Sequence, residues 1–180
     1  MSTWQQVLLV DESDEPQGLA EKLAAHQHGG QLHRAFSVLV FNANGELLLQ
    51  RRAIDKYHFG GLWSNTCCGH PTGARDITLD AEKRLFEEFG FHTTLESRFV
   101  FLYVAHDAAS GLTEREIDHV LVGRFLGEPA PDATEISEFK WINPQTLLED
   151  MKSEPEQYTP WFRILMEDKR AWALLEAVSK

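Results

Sequence analysis

The chain has 180 residues, of which 43% are hydrophobic and 25% are charged, and its formal net charge is −11. This size and composition are typical of one globular domain, so we expect residues 1–180 to form a single domain. The negative charge argues against nucleic acid and against a polybasic membrane surface, since both partners attract clustered Lys and Arg. No secretory signal and no long apolar segment is evident, which predicts a cytoplasmic protein without membrane contact.

Short apolar runs separated by turn residues predict a protein rich in strands. Asn42–Gly45 is a typical turn between two apolar runs, so its flanking strands are expected to form a hairpin. An acidic turn at Asp11–Glu15 and a proline-containing loop at Gly127–Thr134 separate other runs. In chain order, the predicted strands are Trp4–Val10, Ala35–Phe41, Glu46–Gln50, Leu62–Cys67, Phe99–Ala105, Ile117–Phe125 and Phe139–Ile142.

Helices are predicted at Thr78–Phe89, Pro144–Met151 and Trp161–Ala177. In the first of these, apolar residues recur every four positions, an Asp or Thr can cap the start, and Gly90 can end it. The acidic stretch Glu149–Glu156 is expected to be a solvated loop. Strands interrupted by helices without strict alternation indicate an α+β fold, a mixed β-sheet sandwich with flanking helices.

Three histidines and two glutamates are candidate metal ligands. Glu114 and Glu116 alternate on a predicted strand and would share one face, with the intervening Arg on the other. Imidazoles and carboxylates together suit Mn²⁺, Mg²⁺ or Zn²⁺. His26, His33 and His70 would complete five ligands, although spacing alone does not bring the segments together. The alternatives are surface histidines and a solvated acidic face.

Cys67 and Cys68 are the only cysteines in the chain, and sequence neighbours seldom form an unstrained disulfide. We therefore expect reduced thiols. Neighbours on a strand face opposite ways, so only one can face a site. We choose Cys68, which is nearer to His70, as a candidate proton donor or acceptor. The alternative is a small buried apolar side chain.

Cationic and aromatic side chains near these segments have two interpretations each. Arg84 and Glu88 share a helix face and form either an ordinary surface ion pair or a Mg²⁺–diphosphate contact. Arg52 and Lys56 are either solvated or bind phosphate oxygens. Trp161 is either a core residue or an aromatic face that stabilises a cation.

The segment Gly69–Phe91 resembles a degenerate Nudix box, which ends in R-E-U-x-E-E-x-G-U. Gly69, Leu85, Glu87, Glu88, Gly90 and Phe91 match the pattern. Arg75 replaces the first glutamate of the box, and Lys83-Arg84 replaces its Arg-Glu pair. These departures argue against a plain Nudix hydrolase.

The same departures are similar to those of the type I isopentenyl-diphosphate delta-isomerases, a branch of the Nudix superfamily. The matching segments, in order, are Ala25-His26, Leu32–Ser37, Arg51–Ala53 with Lys56, Gly61–Asn65, Cys68–Pro71, Glu114–Glu116 and Tyr158–Trp161. Each segment alone is a modest signal. Their ordered co-occurrence identifies the chain as a member of this family.

The resemblance implies a role for each matching residue. His26, His33, His70, Glu114 and Glu116 would bind a divalent metal. Cys68 and Glu116 would be the acid/base pair, with Tyr103 assisting. Glu88 would bind a Mg²⁺ shared with the substrate diphosphate, Arg52, Lys56 and Arg84 would contact its oxygens, and Trp161 would cover the isoprenoid carbons.

The resemblance thus predicts a metal-dependent enzyme that interconverts isopentenyl and dimethylallyl diphosphates through a carbocation-like intermediate. No flavin or nicotinamide is implied, and no dinucleotide-binding motif is present. We expect a monomer, since no long heptad or apolar stripe is evident. Two alternatives remain, a Nudix-type diphosphate hydrolase and a non-catalytic structural zinc domain. The adjacent cysteines and the extra acidic pair disfavour the zinc domain.

Overall fold

The computed structural model describes residues 5–56, 58–71, 73 and 76–178. Its strands are β1 (Gln6–Val10), β2 (Pro16–Glu21), β3 (His33–Phe41), β4 (Leu47–Arg52), β5 (Trp63–Ser64), β6 (Cys67–Gly69), β7 (Glu96–His106), β8 (Thr113–Arg124) and β9 (Ile136–Ile142). Its helices are α1 (Lys22–His26), α2 (Ile77–Phe89), α3 (Pro144–Ser153), α4 (Pro160–Glu167) and α5 (Lys169–Val178), with a 3₁₀ turn at Pro155–Gln157. None of the helices it describes is long and apolar enough to cross a membrane.

Strand β3 is the centre of a mixed sheet. It pairs in parallel with β8 along its whole length and antiparallel with β1, β4 and β6. The sheet extends outward from β1 to β2, from β8 to β7, and from β4 to β5 and β9. The predicted hairpin at Asn42–Gly45 is confirmed, since Phe41 pairs with Leu47 across it. The strand β3 therefore holds β6 and β8, which are distant in sequence, along its two opposite edges.

Alternating side chains of the sheet pack into a separate apolar core on each face. Leu39 and Phe41 of β3 join the core covered by α3, α4 and α5. Val38 and Val40 point the other way and pack against Ala81, Leu85 and Phe89 of α2. This period of two follows from the strand pleat. Helices on both faces of a mixed sheet confirm the predicted α+β sandwich.

The predicted strand Leu62–Cys67 is wrong in detail, because the segment forms two short strands with a break between them. At the break, Thr66 Oγ1 accepts from Val40 N at 2.9 Å and donates to Leu48 O at 2.7 Å. Asn65 Nδ2 donates to the carbonyls of Val38 and Cys67 at 3.2 and 3.0 Å. Side-chain hydrogen bonds thus replace backbone ladder hydrogen bonds at Asn65 and Thr66. The chain passes at this break from β5, which pairs with β4, to β6, which pairs with β3.

The predicted helix Trp161–Ala177 is also wrong, since it is two helices, α4 and α5, separated at Asp168. The backbone N–H of Asp168 ends α4 by donating to Leu165 O at 3.1 Å, and its carboxylate accepts from Arg170 N at 2.8 Å. The stretch Glu149–Glu156 is not a loop, because α3 continues to Ser153 and the 3₁₀ turn follows. Trp4, the predicted start of the first strand, lies outside the described residues.

Gly90 ends α2 in the left-handed conformation, with φ of +71°, and a Cβ there would lie 3.0 Å from Ala130 O. We expect Gly90→Ala to reduce the free energy of unfolding by about 1–2 kcal/mol, because an L side chain is strained in this region. Urea unfolding measures this change. Gly111→Ala is the matched control, since Gly111 has φ of +73° and nothing within 4 Å of the added carbon. Gly111→Ala measures the cost of the left-handed backbone alone. If the two variants lose the same free energy of unfolding, the contact with Ala130 contributes nothing to the loss in Gly90→Ala.

Candidate metal centre and active site

The predicted metal ligands converge in the structure. His26 is the last residue of α1, His33 begins β3, His70 follows β6, and Glu114 and Glu116 lie on β8. One ligand atom from each of the five lies within 4.8 Å of all the others. The pairing of His33 with Glu116 across the parallel β3–β8 ladder fixes the centre of this cluster.

Backbone carbonyls orient two of the imidazole rings. His26 Nδ1 lies 2.6 Å from Lys22 O, and His33 Nδ1 lies 2.8 Å from Gln31 O. A carbonyl only accepts, so each Nδ1 carries a proton, and in the neutral ring the lone pair is therefore on Nε2. This arrangement is typical of metal-binding histidines, whose second nitrogen donates to a carbonyl or carboxylate.

The Nε2 atoms point into a shared space with the carboxylates. His26 Nε2 lies 2.6 Å from Glu114 Oε2, and His33 Nε2 lies 3.2 Å from Glu116 Oε1. Despite these short distances, both Nε2 atoms and Glu114 Oε2 lack a hydrogen-bond partner of acceptable geometry among the described residues. Buried polar atoms without partners are costly, and a common cation would satisfy all of them. The five residues therefore fit a divalent metal ion.

Tyr103 and Glu116 form a hydrogen-bonded pair at the edge of this cluster. The two residues are partners across the antiparallel β7–β8 ladder, and the Tyr103 hydroxyl donates to Glu116 Oε2 at 2.5 Å. The other carboxylate oxygen, Oε1, lies 2.7 Å from His70 Nε2. Glu116 therefore contacts the metal cluster with one oxygen and a buried phenol with the other.

The neighbouring thiols face opposite sides of β6, as the sequence predicted. Cys67 is fully buried in the core against α2, whereas Cys68 is partly exposed and lines a pocket with Glu116 and His70. The Cys68 thiol donates to Asn65 Oδ1 at 3.0 Å. Of the two, only Cys68 is placed to meet a bound molecule.

Two neighbouring cavities adjoin the cluster. An inner chamber of about 60 Å³ lies against Cys68, His70, Glu114, Glu116, Tyr103 and Trp161. An outer chamber of about 230 Å³ is lined by Lys22, Gln50, Arg52, Lys56, Arg84, Glu88 and Glu135. Lys22, Arg52, Cys68, Gly69 and His70 line both. A space lined by cations therefore lies beside a space lined by a thiol and a carboxylate.

Carboxylates pair with the cations of the outer chamber. Arg84 Nη2 lies 2.7 Å from Glu88 Oε1 and 2.6 Å from Glu135 Oε2. Glu135 also contacts the Lys56 ammonium. Gln50 Nε2 donates to Glu88 Oε2 at 3.0 Å, which holds this buried carboxylate at the chamber wall. Arg84 and Lys56 are therefore placed to exchange a carboxylate for the oxygens of an anion.

Trp161 forms the wall of the inner chamber opposite the sheet. Its indole N–H donates to Ser64 Oγ at 3.0 Å, and the Phe59 ring lies 5.3 Å away edge-on. Thr159 reaches the same serine at 3.1 Å, which fixes the start of α4. The indole is buried in the core and lines the chamber, and the Arg52 guanidinium lies over its ring, 5.3 Å from the ring centre.

Burial alters the pKa values around the chamber. It lowers the pKa of His70 to about 3, with help from the Lys22 ammonium, and raises that of the Cys68 thiol to about 12. Burial opposes the ionisation of Glu114, but the His26 and His58 rings hold its pKa well below the ordinary value. A neutral His70 and an ionised Glu114 are the protonation states that bind a cation.

Three residues of the site were not predicted from the sequence. Lys22 lines both chambers and lies four residues before His26, a helical spacing that would have indicated it. His58 Nε2 lies 2.9 Å from Glu114 Oε1. Asp118, two positions after Glu116 on β8, is buried and accepts from Ser37 Oγ at 2.7 Å. Asp118 continues the alternation of Glu114 and Glu116, which would have indicated it, whereas no local pattern distinguishes His58.

Solved structures with low sequence identity show the fold. DR0079 from Deinococcus radiodurans aligns with a TM-score of 0.66 at 19% identity, covering 82% of this chain and 89% of its own. A MutT protein from Methanosarcina mazei aligns with a TM-score of 0.63 at 16% identity, covering 83% of this chain and 96% of its own.

Sequence relatives are much closer. The NUDIX domain family matches residues 31–162. The Isopentenyl-diphosphate Delta-isomerase of Halorhodospira halophila is 51% identical over 91% of this chain and 94% of its own length. The enzyme of the same name from Burkholderia multivorans is 47% identical over 91% and 92%. The chain therefore belongs to the NUDIX domain family and, within it, to the isopentenyl-diphosphate Delta-isomerases.

Proposed function

We propose that the protein interconverts isopentenyl and dimethylallyl diphosphates. The observation that carries the proposal is that a thiol and a carboxylate, those of Cys68 and Glu116, line one small chamber that lies beside a cationic one. Relatives at 41–51% identity that bear the isomerase name support it. The inner chamber would receive the five-carbon chain, and the outer chamber the diphosphate.

The reaction moves a double bond by exchanging protons at two carbons. A proton is added to the terminal methylene carbon, which leaves a tertiary cation at the adjacent carbon. Loss of a proton from the methylene on the far side of that cation forms the new double bond, so no electrons are gained or lost overall. Two groups that can each carry a proton are sufficient, and no redox cofactor is needed.

Cys68 and Glu116 would carry these two protons. The first lies on β6 and the second on β8, on either side of the central strand β3. The Tyr103 hydroxyl donates to Glu116 and would hold that carboxylate in place while its proton moves. Positioned acids and bases of this kind contribute roughly 10²–10⁴-fold to a rate.

His26, His33, His70, Glu114 and Glu116 would hold Mn²⁺, Mg²⁺ or Zn²⁺. A divalent ion there would supply positive charge that fixes the two glutamates and makes a neighbouring proton more acidic. Buried carboxylates so close together repel each other unless a cation is present. The donor set of three imidazoles and two carboxylates suits each of the three metals.

The diphosphate would be bound by Arg52, Lys56 and Arg84, with Glu88 holding a Mg²⁺ shared with it. Guanidinium groups suit phosphate oxygens because they donate two parallel hydrogen bonds. Carboxylates bind Mg²⁺ together with substrate phosphates in many enzymes. The contacts of Arg84 and Lys56 with Glu135 would be exchanged for contacts with the diphosphate.

Trp161 would stabilise the carbocation through its ring face. We expect Trp161→Leu to lower turnover about tenfold more than Trp161→Phe, because a cation–aromatic contact contributes roughly 0.5–2 kcal/mol and only Phe keeps one. Both variants lose the N–H bond to Ser64, so they are matched in that respect. Steady-state kinetics and thermal melting of both are the measurements. Equal turnover with unequal melting would show that the indole serves only the core.

Hydrolysis of a diphosphate is the alternative. The Nudix box here lacks its first glutamate, replaced by Arg75, which lies outside the described residues, and its Arg-Glu pair is Lys83-Arg84. Fewer carboxylates weaken the metal cluster that would activate an attacking water. Phosphorus NMR of the protein with isopentenyl diphosphate and Mg²⁺ separates the two activities. The proposal requires a new diphosphate ester without free phosphate, whereas phosphate release without isomerisation would favour the hydrolase.

We further propose that residues 1–180 act as one monomeric domain in the cytoplasm, without nucleic-acid or membrane partners. The net charge of −11 supports the absence of nucleic acid, since its phosphates would be repelled. The two cysteines are free thiols, as expected for a reducing compartment. Sedimentation velocity would test the oligomeric state.

A further inference from the structure

We infer that His58 is a positioning residue that orients Glu114 for metal binding, an inference that rests on the metal centre of the proposed function. His58 Nε2 lies 2.9 Å from Glu114 Oε1, while Glu114 Oε2 lies 2.6 Å from His26 Nε2. The two oxygens of the Glu114 carboxylate therefore have different neighbours. One contacts His58, and the other points into the cluster of ligand atoms.

Burial strengthens the contact between His58 and Glu114. The side chains of His58 and Glu114 are each only 6% exposed, so water competes little for their contact. A hydrogen bond to an ionised carboxylate is about twice as strong as one between neutral groups. Without a donor at Oε1, the carboxylate could rotate and turn Oε2 away from the cluster. His58 thereby restricts Glu114 to the orientation in which a ligand oxygen faces the metal.

The backbone around His58 is held in a defined shape. In the connection from β4 to β5, whose residue 57 lies outside the described residues, Gly61 N donates to Arg52 O at 3.0 Å. Gly60 packs so tightly that a Cβ there would lie 2.4 Å from Ile54 O. Phe59 adopts a φ of +51°, a strained conformation for a bulky residue. Gly60 and Phe59, which follow His58 directly, therefore restrict the backbone on its C-terminal side.

The same loop contacts the other parts of the site. Lys56 lines the outer chamber, and Arg52 Nη2 donates to the His58 carbonyl at 3.4 Å. The Phe59 and His58 rings lie 5.3 and 6.0 Å from the Trp161 ring. One short segment thus carries a phosphate-binding cation, a support for Glu114 and a contact to the wall of the inner chamber. This placement is expected of a residue that couples substrate binding to the metal centre.

The test is Mn²⁺ binding by metal-free protein, followed by the electron paramagnetic resonance of free Mn²⁺. We expect His58→Ala to raise the Mn²⁺ dissociation constant about 10–100-fold, the usual effect of removing a hydrogen-bond partner of a ligand. His58→Gln should recover part of the affinity, because its amide N–H₂ is also a donor. His92→Gln is the matched control, since that exposed ring stacks on Phe86 and adjoins neither chamber.

Unchanged Mn²⁺ affinity in a folded His58→Ala variant, equal to that of His92→Gln, would overturn the inference. Should His58→Ala not fold, the same result in His58→Leu, which also lacks a donor, would overturn it. Spin-echo modulation of bound Mn²⁺ distinguishes support from ligation. The number of coordinated imidazole nitrogens should be the same in His58→Gln as in the unaltered protein, and a loss of one would make His58 a ligand instead. Failure of the unaltered protein to isomerise substrate while binding Mn²⁺ would contradict the proposed function and leave the role of His58 standing.

Discussion

Replacing Glu116 by Gln is expected to lower turnover by about a thousandfold or more. The change keeps the size of the side chain but removes the group that takes or gives a proton, a contribution of roughly 10²–10⁴-fold. Glu116 also contacts Tyr103 with one oxygen and two histidines with the other. Because the amide oxygen can still bind a metal, we expect the loss of turnover to be larger than weaker metal binding alone would cause. Isomerisation rates at saturating Mn²⁺ and Mg²⁺ measure it.

Glu96→Gln is the control for this change. Glu96 lies on the neighbouring strand β7 and is exposed. Its carboxylate lies 3.0 Å from Arg98 in a surface ion pair. Surface ion pairs of this type contribute little, so turnover should be unchanged. If Glu116→Gln kept turnover within tenfold of the unaltered protein, while folded and loaded with metal, Glu116 would not carry the proton.

Replacing Cys68 by Ala is the second change with a large expected effect, a loss of roughly 10²–10⁴-fold in turnover. The thiol lines the inner chamber and is one of the two proton carriers of the proposed reaction. An Ala side chain fills similar space but carries no exchangeable proton. Steady-state kinetics with isopentenyl diphosphate measure the loss, and Cys68→Ser, which restores a weaker acid, should recover little of it.

Cys67→Ala is the matched control, since it removes the adjacent thiol from the opposite face of the same strand. Cys67 is fully buried in the core against α2, together with Val38 and Leu85. We expect a modest loss of stability, about 1 kcal/mol for the deleted apolar volume, and nearly normal turnover. An inactive Cys67→Ala beside an active Cys68→Ala would reverse the assignment of the two thiols.

The sequence predicted local structure best where the chain itself supplies the signal. The helix α2 begins at its Asp cap and ends at Gly90 within one residue of the prediction. The hairpin at Asn42–Gly45 follows from its turn residues in the same way. The break at Asp168 was missed because no Gly or Pro marks it. A carboxylate that caps the next helix looks, in sequence, like any surface acid.

The site was predictable only through the resemblance to a family. His26, His33 and Glu114 come from three separate elements, and spacing along the chain does not determine how β3 and β8 pair. The family pattern supplies that missing information for the residues it contains. His58 belongs to no such pattern, and its contact with Glu114 depends on a loop whose shape is set by Gly60 and Phe59. The contact of His58 with Glu114 can therefore be identified only from the tertiary structure.

The most direct test of the central claim is proton NMR of the reaction in D₂O. If Cys68 and Glu116 exchange protons with the substrate on two carbons, the dimethylallyl diphosphate formed must carry deuterium from solvent in the methyl group derived from the terminal methylene. Free phosphate should not accumulate. A product that forms without deuterium would require the same hydrogen to move between the two carbons, either directly or on a single group. That result would contradict the account of two proton-carrying residues.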